Sequence, residues 1–392
     1  MKKRVVITGL GALTAAGVGA EALWRTFREK KSTLSRIRFG EDASWEPLGA
    51  EIKDFIPENY VAQKKSLKVM ARDIQLAVAT GCLAIDDAGL RSAPIDKERF
   101  GVIVGSGVLN HEPDELAYCV KNSLDEEGRL DLLKFGGEGL SSLFPLWLLK
   151  YLPNMSACHL SILFDLRGPN NSVTAGASSG LQAVGEAARI IQRGDADLMI
   201  AGGAESKLNP VGYSEYEILG LLSKENDPGR IRNAFEGDGL IVGEGAGFLV
   251  LEEAEHAKKR GAKIYAEIMG FGSSSNEGRV EAMAQALKEA LLSSDRVDHV
   301  QACGLGIPTE DRAEQIAMKQ IFSGNGASLS VGVSKPLIGF TGFAAGPLDL
   351  ILSALVLKDQ TGPKKIHTAM TNAFGFNGQS VSMILKSAEE MN

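Results

Sequence analysis

Gly168-Pro-Asn-Asn-Ser-Val-Thr-Ala-Gly-Ala-Ser-Ser-Gly180 is followed by a helical pattern over residues 180–193 and then by Gly194-Asp-Ala-Asp-Leu-Met-Ile-Ala-Gly-Gly-Ala-Glu205. The stretch reads as an extended segment at 171–174, a turn of small residues, a helix and a second strand at 198–202. The same alternation spreads outward in both directions. Strands are expected at 5–8, 100–104, 247–252, 264–272, 299–304, 329–333, 368–373 and 381–385, and helices at 20–29, 66–88, 279–292, 311–321 and 348–357. Short apolar runs bounded by glycine, alternating with amphipathic helices, predict α/β layers around central sheets.

The chain of 392 residues is 44% hydrophobic, which is ordinary for a folded globular protein and argues against disorder and membrane spans. A net charge of -7, with both signs spread along the chain, leaves no basic stripe to follow a phosphate backbone, so nucleic acid is not an expected partner. Cys82, Cys119, Cys158 and Cys303 form no C-x-x-C pair. They read as reduced cytosolic thiols, with neither a metal site nor a disulfide framework. Met1-Lys2-Lys3-Arg4 and the apolar run after it imitate a secretory signal, but Gly9, Gly11 and Gly17 interrupt the run and it reads as a strand. A cytoplasmic location is expected.

Val5-Val-Ile-Thr-Gly-Leu-Gly-Ala is echoed by Ile264-Tyr-Ala-Glu-Ile-Met-Gly-Phe-Gly, so a similar unit begins again near residue 262. Two halves follow, at 1–253 and 262–392, joined by the charged stretch Glu253-Ala-Glu-His-Ala-Lys-Lys-Arg-Gly-Ala262. The first half carries an insertion at about 106–165. Its segment 110–145 is polar, glycine-dotted and poorly periodic, as expected of a cover over a site or an interface.

The stretch 168–205 resembles the nucleophile strand-turn-helix of β-ketoacyl synthases. The resemblance continues through Asn233-Ala-Phe-Glu-Gly-Asp-Gly-Leu-Ile-Val-Gly-Glu-Gly-Ala-Gly247 and ends with Asn372-Ala-Phe-Gly-Phe-Asn-Gly378. It implies a thiolase-like fold: two βαβαβαββ halves in a five-layered α/β/α/β/α arrangement, usually dimeric.

The chemistry of such enzymes demands a cysteine at a helix N-terminus, where backbone N–H groups favour the thiolate and receive the acyl oxyanion. It also demands two histidines to stabilise the enolate left when malonyl thioester loses CO2, and hydroxyls to hold the phosphopantetheine arm. By the resemblance, the cysteine position is Ala177. The His-Gly-Thr-x-Thr motif is matched by Cys303-Gly-Leu-Gly-Ile307, without histidine or either threonine, and the second histidine's position is Phe340. His111, His159, His256, His299 and His367 fall outside these motifs. Each missing group commonly contributes about a hundredfold or more in rate, so no condensing activity is expected of this chain alone. Ser178 or Ser179 could act as nucleophile only with a base in reach, and none is evident. Glu314 and Lys335 match the family's structural polar pair and read as a buried ion pair supporting the loops. Phe376 matches its gatekeeper.

Chain-length factors, the ketosynthase β subunits of type II polyketide synthases, look like this. The resemblance implies a heterodimer with an active ketosynthase α subunit, acyl carrier protein reached through that complex, and the carrier's phosphopantetheine on the partner; no cofactor or metal is expected here. This chain would shape the tunnel that holds the growing polyketide, aromatic or aryl-polyene-like. Many such subunits carry glutamine at the lost cysteine, and Ala177 departs from that, which weighs against a malonyl-decarboxylating priming role. Tunnel and interface candidates are Val108, Leu109, Tyr118, Trp147, Leu148, Tyr151 and Met155, the last four falling near one helical face, together with the strand at 171–174. The alternatives are an active elongation synthase, which the absences disfavour, a stand-alone acyl-chain-binding homodimer, and a malonyl-decarboxylase-type priming subunit. A dinucleotide-binding loop at Gly9-Leu-Gly-Ala would need glycine where Thr14 stands.

Overall fold

The computed structural model describes residues 2–40, 45–61, 63–108, 110–230, 233–324, 329–359, 361 and 365–390. Its first half supplies strands β1 (Val5–Thr14), β2 (Phe100–Gly105), β3 (Asn170–Val173), β4 (Leu198–Glu205) and β5 (Gly245–Glu253). The second supplies β6 (Ala266–Ser274), β7 (His299–Gln301), β8 (Ser330–Gly332), β9 (Thr368–Phe374) and β10 (Ser380–Ser387). Among the described residues the main ladder is an eleven-stranded sheet in the order β8-β7-β9-β10-β6-β1-β5-β4-β2-β3, with the short strand Gly17–Val18 attached to β1, and the short strands Ser35–Arg36, Leu48–Ala50 and Val242–Gly243 form a separate small sheet. The order reads the same from either end. In each half the outer three strands run parallel and the inner pairs antiparallel, and β1 meets β6 antiparallel at the centre.

The helices complete five layers. Helices α3 (Ser179–Arg193) and α6 (Ala345–Lys358) lie between the two half-sheets, and their apolar side chains pack with both. Helix α2 (Arg72–Asp87) and the helix Met155–Phe164 cover the first half, while α4 (Arg279–Ala290) and α5 (Pro308–Ile321) cover the second. Helix α1 (Ala20–Glu29) packs on the central layer through Leu23. Among the described residues no helix is long and apolar enough to cross a membrane.

The sequence echo is a real structural repeat. Strand β1 slips register against β5 between Ile7 and Gly9, and β6 slips against β10 between Ile268 and Gly270. A Cβ on Gly9 would stand 2.3 Å from the Ala84 carbonyl oxygen, and one on Gly270 would stand 2.1 Å from that of Ala286. In both halves glycine lets the strand backbone rest on its covering helix.

Three expectations need correction. The helix expected over 66–88 is broken: a 3-10 segment Lys64–Val69 ends at extended Met70 and Ala71, and only then does α2 begin. Arg72 is drawn to Glu244 and the Ile52 carbonyl, and Asp73 to the Ser206 N–H, so tertiary tethers fix the helix start where periodicity is blind to it. Trp147, Leu148, Tyr151 and Met155 do not share one helix face. Trp147–Tyr151 is a 3-10 turn, Pro153 breaks the chain after an extended Leu152, and Met155 opens a new helix. The segment 110–145 is not merely polar cover, because it holds a helix at Pro113–Lys121 and exposes Tyr118, Leu132, Leu133 and Phe144.

Candidate functional site

The chain turns from β3 into α3 through Ala175, Gly176 and Ala177. Gly176 takes φ 57°, and a Cβ there would sit 2.8 Å from the Asn377 side chain, so the turn needs glycine twice over. The Ser178 hydroxyl donates to the Ala175 carbonyl at 2.7 Å, and that of Ser179 to the Gly176 carbonyl at 2.6 Å. The Ser179 oxygen also accepts from the Ala175 N–H at 2.7 Å. Both residues are fully buried, and their hydroxyls bond to backbone groups of the turn.

Ala177, Cys303 and Phe340 come together from three separate elements: the head of α3, the loop after β7, and the segment before α6. They share one apolar cluster with Tyr216, Leu305, Ile307 and Phe374. Phe340 is 2% exposed and its backbone bridges to Ile241 and Gly243. Its ring lies 5.5 Å from that of Phe376 and 6.1 Å from that of Tyr216, and Phe376 leaves its outer side open to solvent. The Cys303 thiol faces the Phe374 carbonyl at 3.7 Å, and burial pushes its pKa up to about 12, so it is a packed thiol and not a thiolate. An apolar wall of this kind offers no proton acceptor and no electrophile for an enolate.

Charge is confined behind that wall. Glu314, on α5, accepts from the N–H groups of Cys303 at 2.9 Å and Gly304 at 2.8 Å, fixing the loop that carries Cys303. Burial raises its pKa, against the pull of those N–H groups. Lys335 does not pair with Glu314 as expected; its ammonium is bound to Asp349, which also accepts from Ser334 at 2.6 Å and Gln301 at 3.1 Å. Asp349 is the lone acid of the apolar helix α6, AGPLDLILSALVLK, and a buried carboxylate there must be neutralised. Burial disfavours the charge on Lys335, yet the adjacent Asp349 raises its pKa overall. That lone acid was the available signal for this pair. Glu205, which accepts from Tyr216 at 3.1 Å and from the Phe343 N–H at 3.1 Å, gave none, because nothing in a strand marks which residue will face a buried loop.

The remaining candidates scatter. Val108, Tyr118 and Leu148 are exposed on the insertion, and Leu109 lies outside the described residues. Trp147 and Tyr151 instead turn onto the chain's own Glu115, donating at 2.9 and 2.7 Å, with Lys150 closing the same carboxylate. Met155 packs inward with Met70, Ile74 and Val78. Strand β3 is one edge of the sheet, with Asn170 and Asn171 exposed.

Residues 2–257 match the family model described as beta-ketoacyl synthase, N-terminal domain, and residues 259–369 match its C-terminal domain. The chain is 33% identical to the 3-oxoacyl-[acyl-carrier-protein] synthase 2 of Coxiella burnetii over 98% of each protein. It is similar to a crystal structure of a beta-ketoacyl synthase from Burkholderia phymatum, with a TM-score of 0.84, 28% identity, and coverage of 98% of this chain and 100% of that one. The structure titled the ishigamide ketosynthase/chain length factor is similar in fold, with a TM-score of 0.81, 24% identity, and coverage of 99% of this chain and 100% of that one. The chain belongs to the β-ketoacyl synthase family.

Proposed function

We propose that this chain is a non-catalytic chain-length factor, the ketosynthase β subunit that pairs with an active ketosynthase α subunit and bounds the tunnel for a growing polyketide. The carrying observation is the convergence of Ala177, Cys303 and Phe340 in one buried apolar cluster, where a condensing enzyme needs a thiolate and two imidazoles. Ser178 and Ser179 are committed to the turn, which supports the absence of a substitute nucleophile. Two surfaces support pairing. The strand Asn170–Val173 ends the sheet and pairs with one neighbour only, and the insertion presents large apolar side chains to solvent.

The test is co-expression with an intact ketosynthase encoded beside it, followed by size-exclusion chromatography and a malonyl-extension assay with and without this chain. The reading predicts a one-to-one complex whose extension activity requires this chain. A homodimer that releases CO2 from malonyl carrier protein by itself would overturn it.

A further inference from the structure

A cavity of about 420 Å³ lies at the edge of the second half, beside strand β8. The end of α1, the edge strand β8 and helix α6 enclose it, and Phe27, Val333, Leu337 and Val356 give it apolar walls. The volume and the predominance of apolar lining match ligand pockets, in which a few placed polar groups set orientation. Here the polar groups are few and differ in charge. His299 forms part of the floor, 3% exposed, with its ring nitrogens 3.2 Å from the Ser330 hydroxyl and 3.4 Å from the Gln301 amide oxygen. Burial takes its pKa down to about 4, so the floor is uncharged at neutral pH. Lys30, at the C-terminal cap of α1, is exposed and has no ion-pair partner among the described residues. Among the described residues it is the one charged side chain in the lining at neutral pH. Gly332 keeps this arrangement open, because a Cβ there would meet the Gln301 amide oxygen at 2.5 Å and the Phe27 ring at 2.8 Å.

An apolar chamber with the Lys30 cation at its side calls for a ligand with one anionic head and an apolar body. We propose that this cavity binds a medium-chain alkyl carboxylate, its chain along Phe27, Val333, Leu337 and Val356 and its carboxylate against Lys30. The site is distinct from the proposed subunit pairing, and it survives or fails independently of it.

Calorimetric titration of the full chain with hexanoate, octanoate and decanoate tests the assignment. Each added methylene buried in the cavity is expected to tighten binding about fourfold. Decanol, which lacks the charge, and the variant Lys30→Glu with decanoate are each expected to bind at least fivefold more weakly, while Lys30→Arg retains affinity. Lys30 is exposed, so these variants leave the fold intact; Val331→Trp, on the exposed rim strand, gives a second block that spares the core. Absence of binding by decanoate overturns the proposal, as does binding indifferent to chain length, to Lys30→Glu or to Val331→Trp.

Discussion

Around the half-buried Ala177 the neighbouring side chains are shut away: Phe340 is 2% exposed and Cys303 is 4%. On the insertion, side chains that would ordinarily be buried stand open, with Val108 at 78% and Leu133 at 88%. The first region is apolar core with the charges of Glu314, Lys335 and Asp349 held behind it, and on the insertion apolar area lies on the outside. The contrast teaches where this β-ketoacyl synthase fold places its apolar area: packed around Phe340 and Cys303, and left open on the insertion.

The largest effect should come from the charges behind the chamber. Asp349→Ala leaves Lys335 buried without its counter-charge and should lower unfolding stability by about 3–5 kcal/mol in urea, whereas Lys335→Met combined with Asp349→Leu should recover most of that loss. Next comes an attempt to restore reactivity. Phe340→His places an imidazole in the apolar cluster and should destabilise the chain by roughly 2 kcal/mol. Adding Ala177→Cys and Cys303→His should still leave malonyl decarboxylation at background, because Leu305 and Ile307 supply no hydroxyls for the carrier arm.

A smaller effect concerns pH. Asp73 accepts from the Ser206 N–H at 2.6 Å, and burial pushes its pKa up to about 7. Its unfolded carboxyl titrates near 4, so between about pH 4 and 7 the folded state holds the extra proton. Stability from this group is therefore full at the acid end and declines as pH rises through that window. Asp73→Asn should flatten the decline by on the order of 1 kcal/mol per pH unit, read from urea midpoints at pH 5, 6 and 7. The smallest effect sharpens the contrast most: Leu133→Glu should change unfolding stability by less than about 0.5 kcal/mol. The same variant should weaken pairing with the ketosynthase α subunit, measured by sedimentation.

Much of the fold was readable because its signals are local. The glycine-bounded strands and the echo of Gly9 and Gly11 in Gly270 and Gly272 report backbone approach, which only glycine permits. The positions Ala177, Cys303 and Phe340 were likewise locatable from motifs in order, although their meeting in one cluster is a property of three elements and of no single stretch. What was not readable depended on tertiary partners. Lys335 takes Asp349 in place of Glu314, Trp147 and Tyr151 turn onto Glu115, and α2 starts late because Arg72 and Asp73 are tethered to distant residues. Pro153 was in plain sight, and it should have ended the helical pattern placed over Trp147 and Met155.

Intact-mass measurement of both subunits in the one-to-one complex, after exposure to an acyl-loaded carrier protein, tests the inert chamber most directly. The account predicts an acyl adduct on the ketosynthase α subunit and none on this chain. An acyl group carried covalently by this chain would contradict it.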